Sequence, residues 1–95
     1  MKATILHAPR DIRLDEVTDP TILAPTDAIV RVVAACVCGS DLWNYRGIND
    51  VTGPTAIGHE LVGVVEAVGP DVRSLRAGDF VISPFTISDN TCPHC

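Results

Sequence analysis

The stretch that most constrains this chain is residues 27–38. After Asp27 it carries a single charge, Arg31, among Ala, Ile, Val and Cys. An apolar run this long, rich in β-branched residues and ended by Gly39, predicts the longest strand of the fold, buried on both faces. Residues 59–68 form a second strong strand candidate, closed by Gly69-Pro70-Asp71.

The other segments follow from their breakers. Residues 3–7 and 12–17 read as two strands around a turn at Pro9-Arg10-Asp11. Pro20 and Pro25 bracket an irregular link. Ser40 is expected to cap a short helix running to residue 45, which Gly47 ends. Residues 48–57 read as a loop containing Gly53-Pro54. Ala77-Gly78-Asp79 turns into a strand at 80–82, and no regular element is expected from residue 84 onward. Strands with one short helix predict a mainly β fold, a small barrel of roughly five to eight strands. No Gly-x-Gly-x-x-Gly opens a helix and no strand–helix–strand unit is present, so these residues do not encode a dinucleotide-binding domain.

Composition excludes several classes of function. The chain has 95 residues, enough for one domain, and 46% of them are hydrophobic, which argues against disorder. A net charge of −5 with only 7 Lys+Arg makes nucleic acid a poor partner. No run approaches the roughly 18 apolar residues of a membrane span, so no membrane partner is expected. The N-terminus leads into an alternating segment rather than a long apolar signal core, and the expected compartment is the cytoplasm. In a reducing compartment the 4 cysteines point to metal or redox chemistry rather than disulfides. Two of them form Cys92-Pro93-His94-Cys95. A chain that stops within such a run reads as truncated.

The chemistry concentrates in Cys38-Gly39-Ser40-Asp41 and Gly58-His59-Glu60. A thiolate and an imidazole from separate segments are the usual start of a zinc site. A catalytic zinc needs three protein ligands and an open position, and no third ligand is evident from the sequence.

These residues carry a resemblance. Gly58-His59-Glu60-Leu61-Val62-Gly63, followed by Gly69 and Val72, resembles the signature of zinc-containing medium-chain alcohol dehydrogenases. Cys38-Gly39-Ser40-Asp41 is similar to that family's first zinc-ligand segment. Gly78-Asp79-Phe80-Val81 resembles the strand entering its structural-zinc lobe. The resemblance spans the chain and implies a GroES-like, partly open β-barrel over residues 1–95. The short helix would follow the first zinc-ligand cysteine, and residues 84–95 would begin the structural-zinc lobe. The family's Rossmann domain is not in this sequence.

The resemblance implies oxidation of a small-molecule alcohol to an aldehyde or ketone, with hydride transfer to NAD or NADP. Zinc would act as the Lewis acid, and the full-length enzyme would be a homo-oligomer. Cys38 and His59 would be zinc ligands, the third coming from outside these residues. Asp41, which also fits the first turn of a helix, would accept a hydrogen bond from the far nitrogen of His59. Glu60 resembles the family's acid beside the zinc; a plain surface glutamate is the alternative. Ser40 would relay the proton as well as cap the helix. Many family members continue that relay with a histidine where this chain has Trp43. Indole accepts no proton, so Trp43 is read as a wall of the substrate pocket or as a core or lid residue.

In the lobe, the family's first three cysteine positions fall on Asp89, Cys92 and Cys95. Asp89 would then be a carboxylate ligand of a structural zinc. The alternatives are an ordinary turn at Asp89-Asn90 with no metal, or His94 as the substitute ligand. Cys36 and His7 match no family ligand position and are read as structural. A zinc-binding or GroES-like interaction module without catalysis is the competing function.

Overall fold

The computed structural model describes residues 1–88, 91 and 93. Among them are six strands and one helix: β1 (Lys2–Ala8), β2 (Asp11–Glu16), β3 (Ala28–Ala35), α1 (Gly39–Tyr45), β4 (Thr55–Ala56), β5 (Leu61–Val68) and β6 (Phe80–Ser83). The mainly β architecture is as expected. The strands form two antiparallel three-stranded sheets, ordered β2-β1-β4 and β3-β5-β6, which do not close into a full barrel.

The first sheet is built on a tight hairpin. β1 and β2 pair from Lys2 opposite Glu16 to Ala8 opposite Asp11. The turn between them puts Arg10 in the left-handed region, φ 66°. The Arg10 N–H donates to the Tyr45 carbonyl at 2.8 Å, which ties the hairpin to the end of α1. Gly47 is needed at that junction. Its φ is +74°, and a Cβ there would lie 2.9 Å from Pro9 Cγ. On the same sheet the His7 ring meets Asp15 at 2.6 Å, a structural pairing of two half-buried side chains.

The second sheet carries the site. β5 lies at its centre, with β3 and β6 on either side. The β3–β5 ladder contains two irregularities, between Ile29 and Val30 and between Val32 and Ala34. Gly63 lets the two strands approach, since a Cβ there would sit 2.5 Å from the Arg31 carbonyl oxygen and 2.6 Å from Val30 Cγ1. At the far end, the Gly69 N–H donates to Asp27 O at 2.7 Å, and the Asp27 carboxylate accepts the Leu23 and Ala24 N–H groups. This pins the loop before β3 against the turn after β5.

Several expectations need correction. The strand expected over residues 27–38 ends at Ala35, and its second half is exposed rather than buried; Val32 and Val33 are 51% and 57% accessible. β3 is an edge strand, and burying both faces of a strand requires layers on both sides, which the described residues do not supply. Among the described residues, Leu6 and Val65, each 1% exposed, are the fully buried large side chains. β5 begins at Leu61 rather than residue 59. Within the expected loop, Thr55 and Ala56 pair with Leu6 and Ile5 as β4. The N-cap of α1 is Cys38, not Ser40. Among the described residues no helix is long and apolar enough to cross a membrane.

Candidate metal centre

The site forms where the β3–β5 ladder runs out. Ala35 stands opposite Leu61, and the pairing continues one step further, with the Cys36 N–H donating to the Glu60 carbonyl at 3.3 Å. Beyond that point the two chains diverge into Cys38 and His59. Gly58, at φ +108°, adopts a backbone conformation that a residue with a Cβ rarely takes, just before His59. α1 starts directly after Cys38, so Ser40 and Asp41 in its first turn face the same place.

One donor atom each from Cys38, His59 and Glu60 lies within 4.8 Å of the others. The imidazole is held from both sides. Its Nδ1 lies 3.3 Å from Asp41 Oδ1, and its Nε2 lies 3.4 Å from Ser40 Oγ and 3.9 Å from Glu60 Oε1. Asp41 is buried and uses both oxygens, since its Oδ2 accepts the Cys38 N–H at 2.9 Å. That bond is the backward reach of a capping box, which satisfies a free donor at the helix start. The Phe85 ring lies edge-on to His59, with centroids 6.3 Å apart.

Two clefts flank the site. One, of about 410 Å³, is lined by Glu60, Cys36, Leu61, Ile82 and Phe85 among others; the second, of about 590 Å³, by Asp41, Leu42, Tyr45 and Ile57 among others. Trp43 lines neither and is 56% exposed. Asp89, Cys92, His94 and Cys95 lie outside the described residues.

By sequence Cys36 reads as structural. In the structure its thiol donates to Glu60 Oε2 at 3.0 Å. Only the strand register shows this, and the two irregularities in the ladder hide that register from the sequence.

Charge at the site is polarised. Hydrogen bonds from the Ser40 hydroxyl, then from the Ser40 backbone N–H, then with the His59 ring hold the Cys38 thiol below its usual range. The His59 imidazole is held above its ordinary value, first by the hydrogen bond with Cys38 and then, against partial desolvation, by the charge of Asp41. The hydrogen bond to Glu60 pushes the Cys36 thiol up. Without metal, the thiolate fraction near neutral pH is therefore raised at Cys38 and reduced at Cys36. Iodoacetamide is expected to label Cys38 well before Cys36, with labelling of Cys38 slowing as pH falls through its lowered pKa. His59→Ala removes one stabiliser of the thiolate and should slow that labelling. Peptide mapping checks this; equal rates at the two cysteines would contradict the polarised pair.

The donor set suits zinc. A thiolate, an imidazole nitrogen and a carboxylate oxygen are all zinc ligands, and a carboxylate behind the ring is the usual outer partner of a ligating histidine.

Fold and donor set together define a GroES-like β domain with a metal-type constellation at one strand end. The alcohol dehydrogenase GroES-like domain model matches residues 24–95, and the chain belongs to that family. Zinc-type alcohol dehydrogenase B from Aspergillus flavus is 38% identical over 95 residues, covering 100% of this chain and 22% of that protein. The alcohol dehydrogenase TADH from Thermus sp. ATN1 superposes with a TM-score of 0.93 at 43% identity, covering 100% of this chain and 28% of that one. An E. coli CFT073 alcohol dehydrogenase solved with NADH is 36% identical with a TM-score of 0.76, covering 100% of this chain and 27% of that one. The chain spans about a quarter of the length of the curated relatives it matches.

Proposed function

We propose that this chain is the metal-bearing N-terminal domain of a zinc-dependent alcohol dehydrogenase, which oxidises an alcohol to an aldehyde or ketone with NAD or NADP. The observation that carries this reading is the convergence of Cys38, His59 and Glu60 within 4.8 Å in a chain of this family. Zinc bound there would supply Lewis acidity toward an alcohol or carbonyl oxygen. The zinc-type and NADH-bound relatives support the choice of metal and cofactor.

The chain's own residues have distinct tasks in this reading. Cys38 contributes a soft, negatively charged donor atom. Asp41 Oδ1 stands 3.3 Å from His59 Nδ1 and orients the ring, so that Nε2 faces the site. The Ser40 hydroxyl, 3.4 Å from Nε2, accepts the alcohol's proton and passes it outward. Trp43 cannot extend that path, because indole donates one hydrogen bond and accepts no proton. Water or a cofactor hydroxyl must take the proton instead. Asp89, Cys92 and Cys95 are assigned to a structural zinc site in the lobe that begins near residue 84.

The test is nicotinamide reduction by the zinc-loaded complete protein with a panel of alcohols. Alcohol-dependent reduction is expected, with Ser40→Ala lowering kcat by about 100-fold while zinc stays bound. A zinc-loaded protein that reduces neither NAD nor NADP with any alcohol would overturn the reading.

A further inference from the structure

Cys36 is a polar group at the site to which the reading above gives no task. It meets Glu60 at two levels. Its backbone N–H donates to the Glu60 carbonyl at 3.3 Å, which fixes where the two chains stand. Its thiol donates to Glu60 Oε2 at 3.0 Å, which fixes where the carboxylate points. The two carboxylate oxygens are thereby divided. Oε2 is occupied by Cys36, and Oε1 is turned toward His59 Nε2, 3.9 Å away.

A glutamate side chain has three rotatable bonds, and ordering it costs up to about 2 kcal/mol of rotamer freedom. Glu60 is only partly covered, so without a tether its carboxylate would sample solvent. Cys36 and Glu60 also share the wall of the cleft that Leu61, Ile82 and Phe85 line.

We propose that Cys36 is a positioning residue, whose thiol holds Glu60 turned toward Cys38 and His59 so that one carboxylate oxygen stands ready as a third donor to a bound metal. The inference rests on the reading of Cys38 and His59 as metal ligands. It assigns Cys36 no bond to the metal; its whole effect passes through Glu60.

The test is Co²⁺ titration of the full chain, followed by its visible absorption, with thermal unfolding as a check on folding. Cys36→Ala is expected to weaken Co²⁺ binding about 10-fold, the low end of what losing an outer partner costs. Cys36→Ser keeps an O–H donor at the same place and should restore most of that loss. In a Glu60→Ala background, Cys36→Ala should have no further effect, because coupled residues are not additive. Unchanged affinity in Cys36→Ala would overturn the proposal. So would a loss that persists in the Glu60→Ala background, or a fall in the sulfur-to-cobalt charge-transfer band that Cys36→Ser does not restore, since either makes Cys36 act on the metal directly. If Cys38→Ala leaves both affinity and spectrum unchanged, the ligand reading itself fails and the proposal goes with it.

Discussion

Replacing Cys38 or His59 by alanine is expected to abolish zinc binding at the site, whereas Asp41→Ala should weaken it by roughly 10–100-fold. The ranking follows from what each side chain does. Cys38 and His59 present the thiolate and the ring nitrogen of a three-donor cluster, and losing either leaves two donors, too few to hold zinc in a closed geometry. Asp41 donates nothing to the cluster. It holds Nδ1 of the ring with one oxygen and the Cys38 N–H with the other, so its removal loosens both ligands at once. The same change removes a capping contact of α1, at a cost of about 1 kcal/mol. Calorimetric zinc titration, with thermal unfolding in the presence and absence of metal, separates the two effects. Zinc should raise Tm in the wild type by linkage and leave Cys38→Ala unmoved. A Cys92→Ser, Cys95→Ser background keeps the lobe from contributing. A Cys38→Ala protein that still gains the wild-type zinc shift would remove Cys38 from the site.

The contrast between what was legible and what was not has a physical basis. The β3 and β5 segments stand out because apolar, β-branched runs bounded by glycine and proline are local signals. Gly39 and Gly58 likewise mark the ends at which Cys38 and His59 emerge. Burial is not local. Val32 and Val33 look like core residues, yet they sit on an edge strand where no described layer covers them. β4 escaped notice because its two residues owe their conformation to β1 rather than to their own propensity. Ser40 is a better capping residue than cysteine by type, but the end of the β3–β5 pairing puts Cys38 at the cap. The Asp41–His59 contact was reachable only through the family resemblance. The Cys36–Glu60 contact was not reachable at all, because it depends on a register that two irregularities shift.

Residues 1–95 by themselves are expected to oxidise no alcohol at a measurable rate. Hydride transfer needs a nicotinamide held against the reacting carbon at near-attack distance, roughly 3–3.5 Å. Among the described residues no glycine-rich turn opens a helix, and the one strand–helix–strand succession, β3-α1-β4, joins strands of two different sheets rather than a parallel pair of the dinucleotide-binding type. The site is also open. The His59 and Glu60 side chains are 33% and 30% accessible, and Ile82 and Phe85 in the adjoining cleft are 74% and 65% exposed, so water reaches the donor cluster and competes for the positions a substrate would take. Zinc binding and catalysis should therefore separate. On the reading proposed above, these residues are expected to bind the metal, while turnover is expected to need protein of the kind that makes up the other three quarters or so of the relatives' length. The measurement is absorbance of reduced nicotinamide with zinc, NAD or NADP and a panel of alcohols, run on residues 1–95 and on the longer protein in parallel. Turnover by residues 1–95 that disappears in Cys38→Ser would show that this domain carries the whole reaction. Silence from residues 1–95, beside an active longer chain that loses activity in Cys38→Ser, is the expected pair of results.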